Sequence, residues 1–265
     1  MAARDAPAPT GHRRLDTRRV ASGTRLGRLA VPVLVVSLAL AGCRAGEPVV
    51  DPGDGGNYSV RLDPADFVAT IDNPWLPFTP GSRWAYDAGG GERNEVVVTN
   101  QTRTVMGITA TVVRDTETRD GAVVEDTFDW YAQDRSGNVW YLGEATRAVR
   151  DGQLSPAGSW EAGVDGALPG IIMKADPRVG DAYRQEFYRG HAEDMGKVVR
   201  TGASESVPFG SLDGLLVTQD WTPLEPGVVE EKFYAKGIGL VLETTVRGGS
   251  DRNELVSYQP GPRPG

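Results

Sequence analysis

Along most of this chain apolar residues recur at every second position, not at every third or fourth. Ser82–Asp87 alternates around Trp84 and Tyr86, Glu95–Thr99 holds three consecutive valines, and Arg103–Asp115 is long, rich in β-branched residues and broken at Met106-Gly107. Ala122–Ala132 and Val139–Gly143 continue the series, with Asp120-Gly121 and the run from Asp134 to Asn138 at the turns. A period of two sends successive side chains to opposite faces of a strand, and Gly, Asn and Asp supply the turn conformations that join antiparallel neighbours. No segment sustains a 3.6-residue period. The pattern predicts a mainly β chain of antiparallel meander sheets. Before these strands, Asp63 to Asp72 has room for one helical turn, with Asp63 as N-cap and Pro64 at the first position. Asn73–Gly81 contains three prolines, Pro74, Pro77 and Pro80, and can be neither helix nor central strand. Its Trp75, Leu76 and Phe78 are expected to pin it against the domain.

The pattern occurs twice. GAVVEDTFDWYA (Gly121–Ala132) leads through a turn with Gly137 to Val139 and Glu144; GVVEEKFYA (Gly227–Ala235) leads through Gly237 and Gly239 to Val241 and Glu243. Each copy follows a strand rich in β-branched or Leu residues, around Ala110–Arg114 and Leu215–Gln219. Two three-stranded meanders from a duplicated unit would form two halves of one sheet, or two sheets face to face, giving a half-barrel or clamshell. Phe128 and Phe233 are then expected at matching core positions. A single β-rich domain is predicted over residues 63–258, followed by a disordered tail at 259–265.

The first residues follow another rule. Seven Arg and two acids in residues 1–28 precede an uncharged run from Leu29 to Leu40, then Ala41, Gly42 and Cys43. A basic region, a short apolar region and a small-residue cleavage site predict a signal peptide over residues 1–42. The apolar run is too short to span a membrane, which takes roughly 20 residues. Leu40-Ala41-Gly42-Cys43 resembles the bacterial lipobox. That resemblance implies cleavage before Cys43, diacylation of its sulfur and anchoring to the extracytoplasmic side of a membrane through the lipid. Cys43 is also the chain's one cysteine. The pairs Arg13-Arg14 and Arg18-Arg19 point to a twin-arginine signal, but the hydrophobic residues expected just after the pair are missing. The general secretory route and the twin-arginine route both stay open. Residues 43–62 read as the lipidated Cys followed by a Gly- and Pro-rich flexible tether.

Charge narrows the partners. The chain carries a net charge of −8, of which residues 1–42 contribute +5, so the remainder stands near −13. That excludes nucleic acid as a partner and electrostatic docking on anionic headgroups. The stretch from Asp126 to Asp194, with Trp140–Glu144 and Ser159–Met173, resembles an uncharacterised family of exported bacterial β-sheet lipoproteins, over most of the mature domain. The family brings no activity and no catalytic residues.

Candidate chemistry concentrates between the two meanders. Gly158–Met173 is Gly-rich yet apolar, and is expected to form a loop that plugs a cavity or crosses the core. Trp160, Glu161 and Asp165 lie in it, and Arg184 and Glu186 share one face of the following strand. Arg184 needs a carboxylate partner, and Glu161 or Asp165 is the expected one. His191, with Glu193 and Asp194, forms a weaker candidate: a general base with carboxylate support, or a surface turn. Too few His and Cys exist for a zinc site, so no metal is expected. No phosphate loop, dinucleotide fingerprint or nucleophile elbow occurs, so no cofactor is expected either. The leading expectation is a non-catalytic, lipid-anchored envelope lipoprotein that binds a ligand or an envelope partner in the concavity of its sheet. A carboxylate-dependent hydrolase acting on cell-envelope polysaccharide and a purely structural lipoprotein are the alternatives. The lining of any cavity discriminates among the three.

Overall fold

The computed structural model describes residues 58–150 and 152–262. The expected signal peptide, Cys43 and the tether up to residue 57 lie outside the described residues, as do residues 263–265. The β reading is borne out. In chain order the strands are β1 (Phe67–Val68), β2 (Arg83–Gly89), β3 (Glu92–Val105), β4 (Ile108–Arg119), β5 (Ala122–Asp134), β6 (Val139–Arg150), β7 (Gln153–Ser155), β8 (Trp160–Glu161), β9 (Leu168–Met173), β10 (Ala182–Arg184), β11 (Glu186–Phe187), β12 (Met195–Val207), β13 (Gly210–Trp221), β14 (Val229–Ala235), β15 (Gly239–Arg247) and β16 (Arg252–Gln259). Among the described residues the one helical element is a 3-10 turn, Pro64–Asp66, in which the Ala65 amide donates to the Asp63 side chain as the cap pattern predicts. Gly158–Met173, expected as a loop, contributes β8 and β9 instead.

All pairings between strands are antiparallel, and their order is β10-β12-β13-β14-β15-β16-β2-β3-β4-β5-β6-β9-β11, with β1 on β5 and with β7 and β8 on β6. The two ends of this path, β10 and β11, are halves of one stretch of chain interrupted at Gln185. The first half pairs with β12, Tyr183 opposite Gly196; the second pairs with β9, Glu186 opposite Pro169. A single segment therefore bridges both edges of the sheet. The result is a nearly closed barrel with one seam, more closed than the half-barrel the sequence suggested, and closure removes the exposed edges on which other chains could pair. Glycines admit the bridging segment on both sides. A Cβ on Gly170 would stand 2.4 Å from the Gln185 carbonyl, and one on Gly196 would stand 2.8 Å from the Gln185 amide nitrogen.

Register sorts side chains between lumen and exterior. Within the two meanders, Val113, Asp115, Asp129, Tyr131, Lys232, Tyr234, Leu240 and Glu243 turn inward around one cavity. The Pro-rich segment stoppers one end. Gln133 Oε1 accepts from the amides of Asp72 and Asn73 (3.0 and 2.9 Å), Asn73 Nδ2 donates to the Gly137 and Lys174 carbonyls, and the Gly237 amide donates to Pro74. Trp75, Leu76 and Phe78 are buried there, as expected, and the Phe78 ring meets Trp84 at 5.9 Å and Tyr131 at 5.0 Å. Packed chain extends beyond the expected ends of the domain. The Tyr58 hydroxyl donates to the Pro169 carbonyl (2.8 Å), and the Gly261 amide donates to Ser82 Oγ (2.9 Å).

Candidate functional site

The lumen is hollow and charged. A cavity of about 210 Å³ has an apolar floor that includes Leu76, Phe78, Trp84, Val113 and Leu240, and a wall carrying Asp115, Asp129, Lys232 and Glu243. A second space, about 240 Å³, shares Tyr131, Ile172 and Lys232 with the first and adds Tyr141, Glu144, Glu186 and Asp194. A third, about 120 Å³, lies between Asp194, Asp220, Glu230 and Lys232. Lys232 borders all three. Its Nζ stands 3.2 Å from Asp220 and 3.7 Å from Glu243. Burial alone would lower its pKa, but Glu243 and Asp220 outweigh that cost and hold it well above its ordinary value, so it is a fixed cation. Asp220 is saturated: besides Lys232 it accepts from Gln185 Nε2 (3.0 Å) and Thr218 Oγ1 (2.9 Å).

The opposite wall has carboxyls without such cover. Asp129 and Glu144 face each other across β5 and β6. The Tyr141 hydroxyl lies 2.6 Å from Asp129 and 3.1 Å from Glu144. One hydroxyl has one proton to donate, so the second contact is satisfied only when a carboxyl is itself protonated. Electrostatics agree. Burial pushes Glu144 up to about 7, partly offset by Tyr141 and Thr146, and burial with Asp115 nearby raises Asp129 well above the carboxylate range. Burial likewise takes Asp115 to about 7 against its bond from Asn94, and burial with Glu243 takes Glu230 to about 7. Glu186 and Asp194 are raised, chiefly by burial, and Asp194 raises Glu186 further. Among the described residues no group of three His, Cys, Asp or Glu is placed to hold a metal ion.

The residues singled out from the sequence divide between lumen and exterior. β8 lays Trp160 opposite Glu144 on the lumen side, where its ring meets Tyr141 edge-on at 5.3 Å. Its indole N–H is buried without a hydrogen-bond partner, close enough to Glu186 to lower that acid slightly. Glu186 and Asp194 line the second space. Glu161 is paired with Arg103 (2.5 Å), whose guanidinium lies 3.9 Å over the Trp130 ring; its expected partner, Arg184, is engaged elsewhere. The fully buried Arg184 donates to the Glu193 carbonyl (2.9 Å), with the Glu193 carboxylate at 3.9 Å and the Phe187 ring at 4.9 Å. Arg184 and Glu186 do not share a face. The amides of Gln185 and Glu186 both reach the Asp194 carbonyl (2.9 and 3.4 Å), a bulge that resets the alternation and turns Glu186 inward. Asp165 is exposed in a turn at φ 49°. His191 is exposed and stacked on Tyr188 at 4.4 Å, while Glu193 accepts from the Gly190 amide (2.7 Å) and so closes that turn.

Fold and site together define a nearly closed antiparallel barrel whose interior is partly hollow, apolar at the stoppered end and acidic along one wall. No family model matches the chain, and no curated protein matches its sequence. Two solved structures are similar to it. One is a protein classed as exported, with a YmcC-like fold, from Bacteroides fragilis: 13% identity over 70% of this chain and 99% of that one, TM-score 0.39. The other, classed as a lipoprotein, is from Parabacteroides distasonis: 12% identity over 71% of this chain and 99% of that one, TM-score 0.37. Similarity at this level transfers no residue's role.

Proposed function

We propose that this chain is a lipid-anchored envelope lipoprotein, held to the membrane through Cys43, that binds a small ligand inside its barrel without transforming it. The observation that carries the reading is the cavity of about 210 Å³, in which an apolar floor and a few converging charged groups meet inside one wall. That combination is the usual make-up of a small-molecule site. Trp160, Glu186 and Asp194 belong to the ligand's surroundings. Glu161 with Arg103, and Arg184 with Glu193, fasten the outer loops. The signal-like residues 1–42 and the lipobox-like Leu40–Cys43 support the address.

Asp129 facing Glu144 favours the alternative, a hydrolase of envelope polysaccharide. Against it, the Tyr141 hydroxyl already fills the space between the two carboxyls that a glycosidic oxygen would need. The test is uptake of the neutral fluorophore N-phenyl-1-naphthylamine by the exported chain carrying Cys43→Ser. Saturable uptake with energy transfer from Trp84 is expected, and Leu240→Trp, which fills the floor, is expected to abolish it. Uptake that is absent, or unchanged in the filled variant, removes the binding reading.

A further inference from the structure

The ligand's charge can be read from the lumen, on the premise that the lumen is a binding site at all. Lys232 has both of its acids, Asp220 and Glu243, so it has no charge left over for an anionic ligand. On the facing wall Asp129 lines the first cavity and Glu144 and Glu186 line the adjoining one, Asp129 and Glu144 meeting at the Tyr141 hydroxyl, and among the described residues none of the three forms an ion pair. Once ionised, these acids leave the lumen with negative charge in excess beside an apolar pocket. A second feature is independent of the acids. Tyr183, turned inward by its register opposite Gly196, is 4% exposed and its hydroxyl has no hydrogen-bond partner. That hydroxyl sits in the packed core of the barrel, within electrostatic reach of Asp220, Tyr234, Asp181 and Lys232. A buried hydroxyl left unpaired costs about 1–3 kcal/mol, which a bound polar group would relieve.

We infer that the barrel binds a small organic cation: an ammonium group among Asp129, Glu144 and Glu186, on an aromatic or branched apolar body that rests against Phe78 and Trp84. An inorganic ion would leave the floor empty, and an aliphatic acid would bring a second carboxylate to a wall already rich in them. A bound ammonium would pair with one of the two carboxyls flanking Tyr141, while the other keeps the proton that satisfies the second contact of the hydroxyl.

The test compares three ligands with one apolar body: phenethylamine, 2-phenylethanol and 3-phenylpropanoate. Each is titrated calorimetrically into the chain carrying Cys43→Ser and used to displace N-phenyl-1-naphthylamine. At pH 8 the amine is expected to bind at least tenfold tighter than the alcohol, and the acid weakest of the three. At pH 5.5, where the wall carboxyls hold protons, that preference shrinks. Glu144→Gln and Glu186→Gln are each expected to lower the amine's affinity several-fold and leave the alcohol's unchanged. Two conservative variants are used so that one folding failure leaves the other to decide. If the alcohol matches the amine, or the acid binds tightest, the charge inference is overturned while binding in the lumen stands. If the amine's advantage survives in both variants, the amine sits on the acidic exterior and the inference is overturned as well. If neither the fluorophore nor any of the three ligands binds, the lumen reading fails and takes this one with it.

Discussion

The two meanders, β4–β5–β6 and β13–β14–β15, carry the same device outside and different ones inside. In the first, Phe128 faces outward with the Arg114 guanidinium 5.6 Å from its ring, and Arg114 is tied to Asp126 at 2.7 Å. In the second, Phe233 faces outward with Arg200 at 5.7 Å, and Arg200 is tied to Glu231 at 2.6 Å. The two phenylalanines share a face and surroundings, but only Phe233 lies in the core; Phe128 is half-buried at the edge of another cluster, so the expected match of core positions is met in part. Their lumen faces differ. The first meander presents Glu125, Thr127 and Asp129; the second presents Glu230, Lys232 and Tyr234. Where Thr127 shares a hydroxyl bond with Thr146 (3.1 Å), Lys232 stands opposite Glu243. The outside of each meander serves packing, which one arrangement solves twice. The inside is where the two copies differ, and that difference puts a cation and apolar surface on one wall and uncovered acids on the other.

The sharpest way to break the comparison is to cut both phenylalanines. Phe233→Ala should cost about 4 kcal/mol, in the range for a fully buried aromatic, and Phe128→Ala about half of that. Chemical denaturation reads both; equal losses would mean that the outer faces are not organised as described. The next contrast is between Lys232 and Thr127. Lys232→Met leaves Asp220 and Glu243 without their cation and is expected to cost about 3 kcal/mol. Thr127→Val should stay within about 1 kcal/mol. A thermal scan in which Lys232→Met melts with the parent would show that the lumen charges are not coupled.

A smaller effect tests the acidic wall by pH. Asp115, Glu144 and Glu230 titrate near 7 in the folded chain, above the ordinary carboxylate value. The folded state therefore holds their protons more tightly than the unfolded state does. The stability they contribute is complete below about pH 4 and is lost as pH rises through about 7. The melting temperature at pH 5.5 should exceed that at pH 8 by about 3 °C or more, and Glu144→Gln should narrow the gap. A profile that rises toward pH 8 would contradict the burial of these acids. The smallest expected effect lies outside the barrel. Glu161→Gln removes the carboxylate facing Arg103, a half-exposed pair, and should cost about 0.5 kcal/mol or less in the same thermal assay.

The two meanders were legible in the sequence because alternation and turn residues are local signals. The meanders, the Pro-rich plug and the Asp63 cap follow from residues within a few positions of one another. Alternation also tells which residues share a face, though not whether that face looks inward. Asp115 two residues after Val113, Asp129 two before Tyr131, and Lys232 two before Tyr234 each share a face with a core residue. Those spacings were the available sign of an acid-lined interior. Arg103 as the partner of Glu161 depends on a contact across 58 residues, which no local pattern encodes. The bulge at Gln185, which separates Arg184 from Glu186, arises from two amides sharing the Asp194 carbonyl, a feature of tertiary pairing and not of composition.

The pairing of β16 with β2 sets a schedule for folding. Tyr258 lies opposite Trp84 and Gln259 opposite Arg83, so the sheet is joined in the middle of its path by residues from opposite ends of the domain. Every other principal pairing joins segments much nearer in sequence and can form as the chain appears. Closing so long a loop is entropically costly and slow, and contacts of this kind dominate the folding time of β proteins. Until residues 252–259 arrive, β2 presents an open edge and the aromatic floor around Trp84 is unsealed. At every shorter chain length the barrel stays incomplete, and it closes only when its last strand is present.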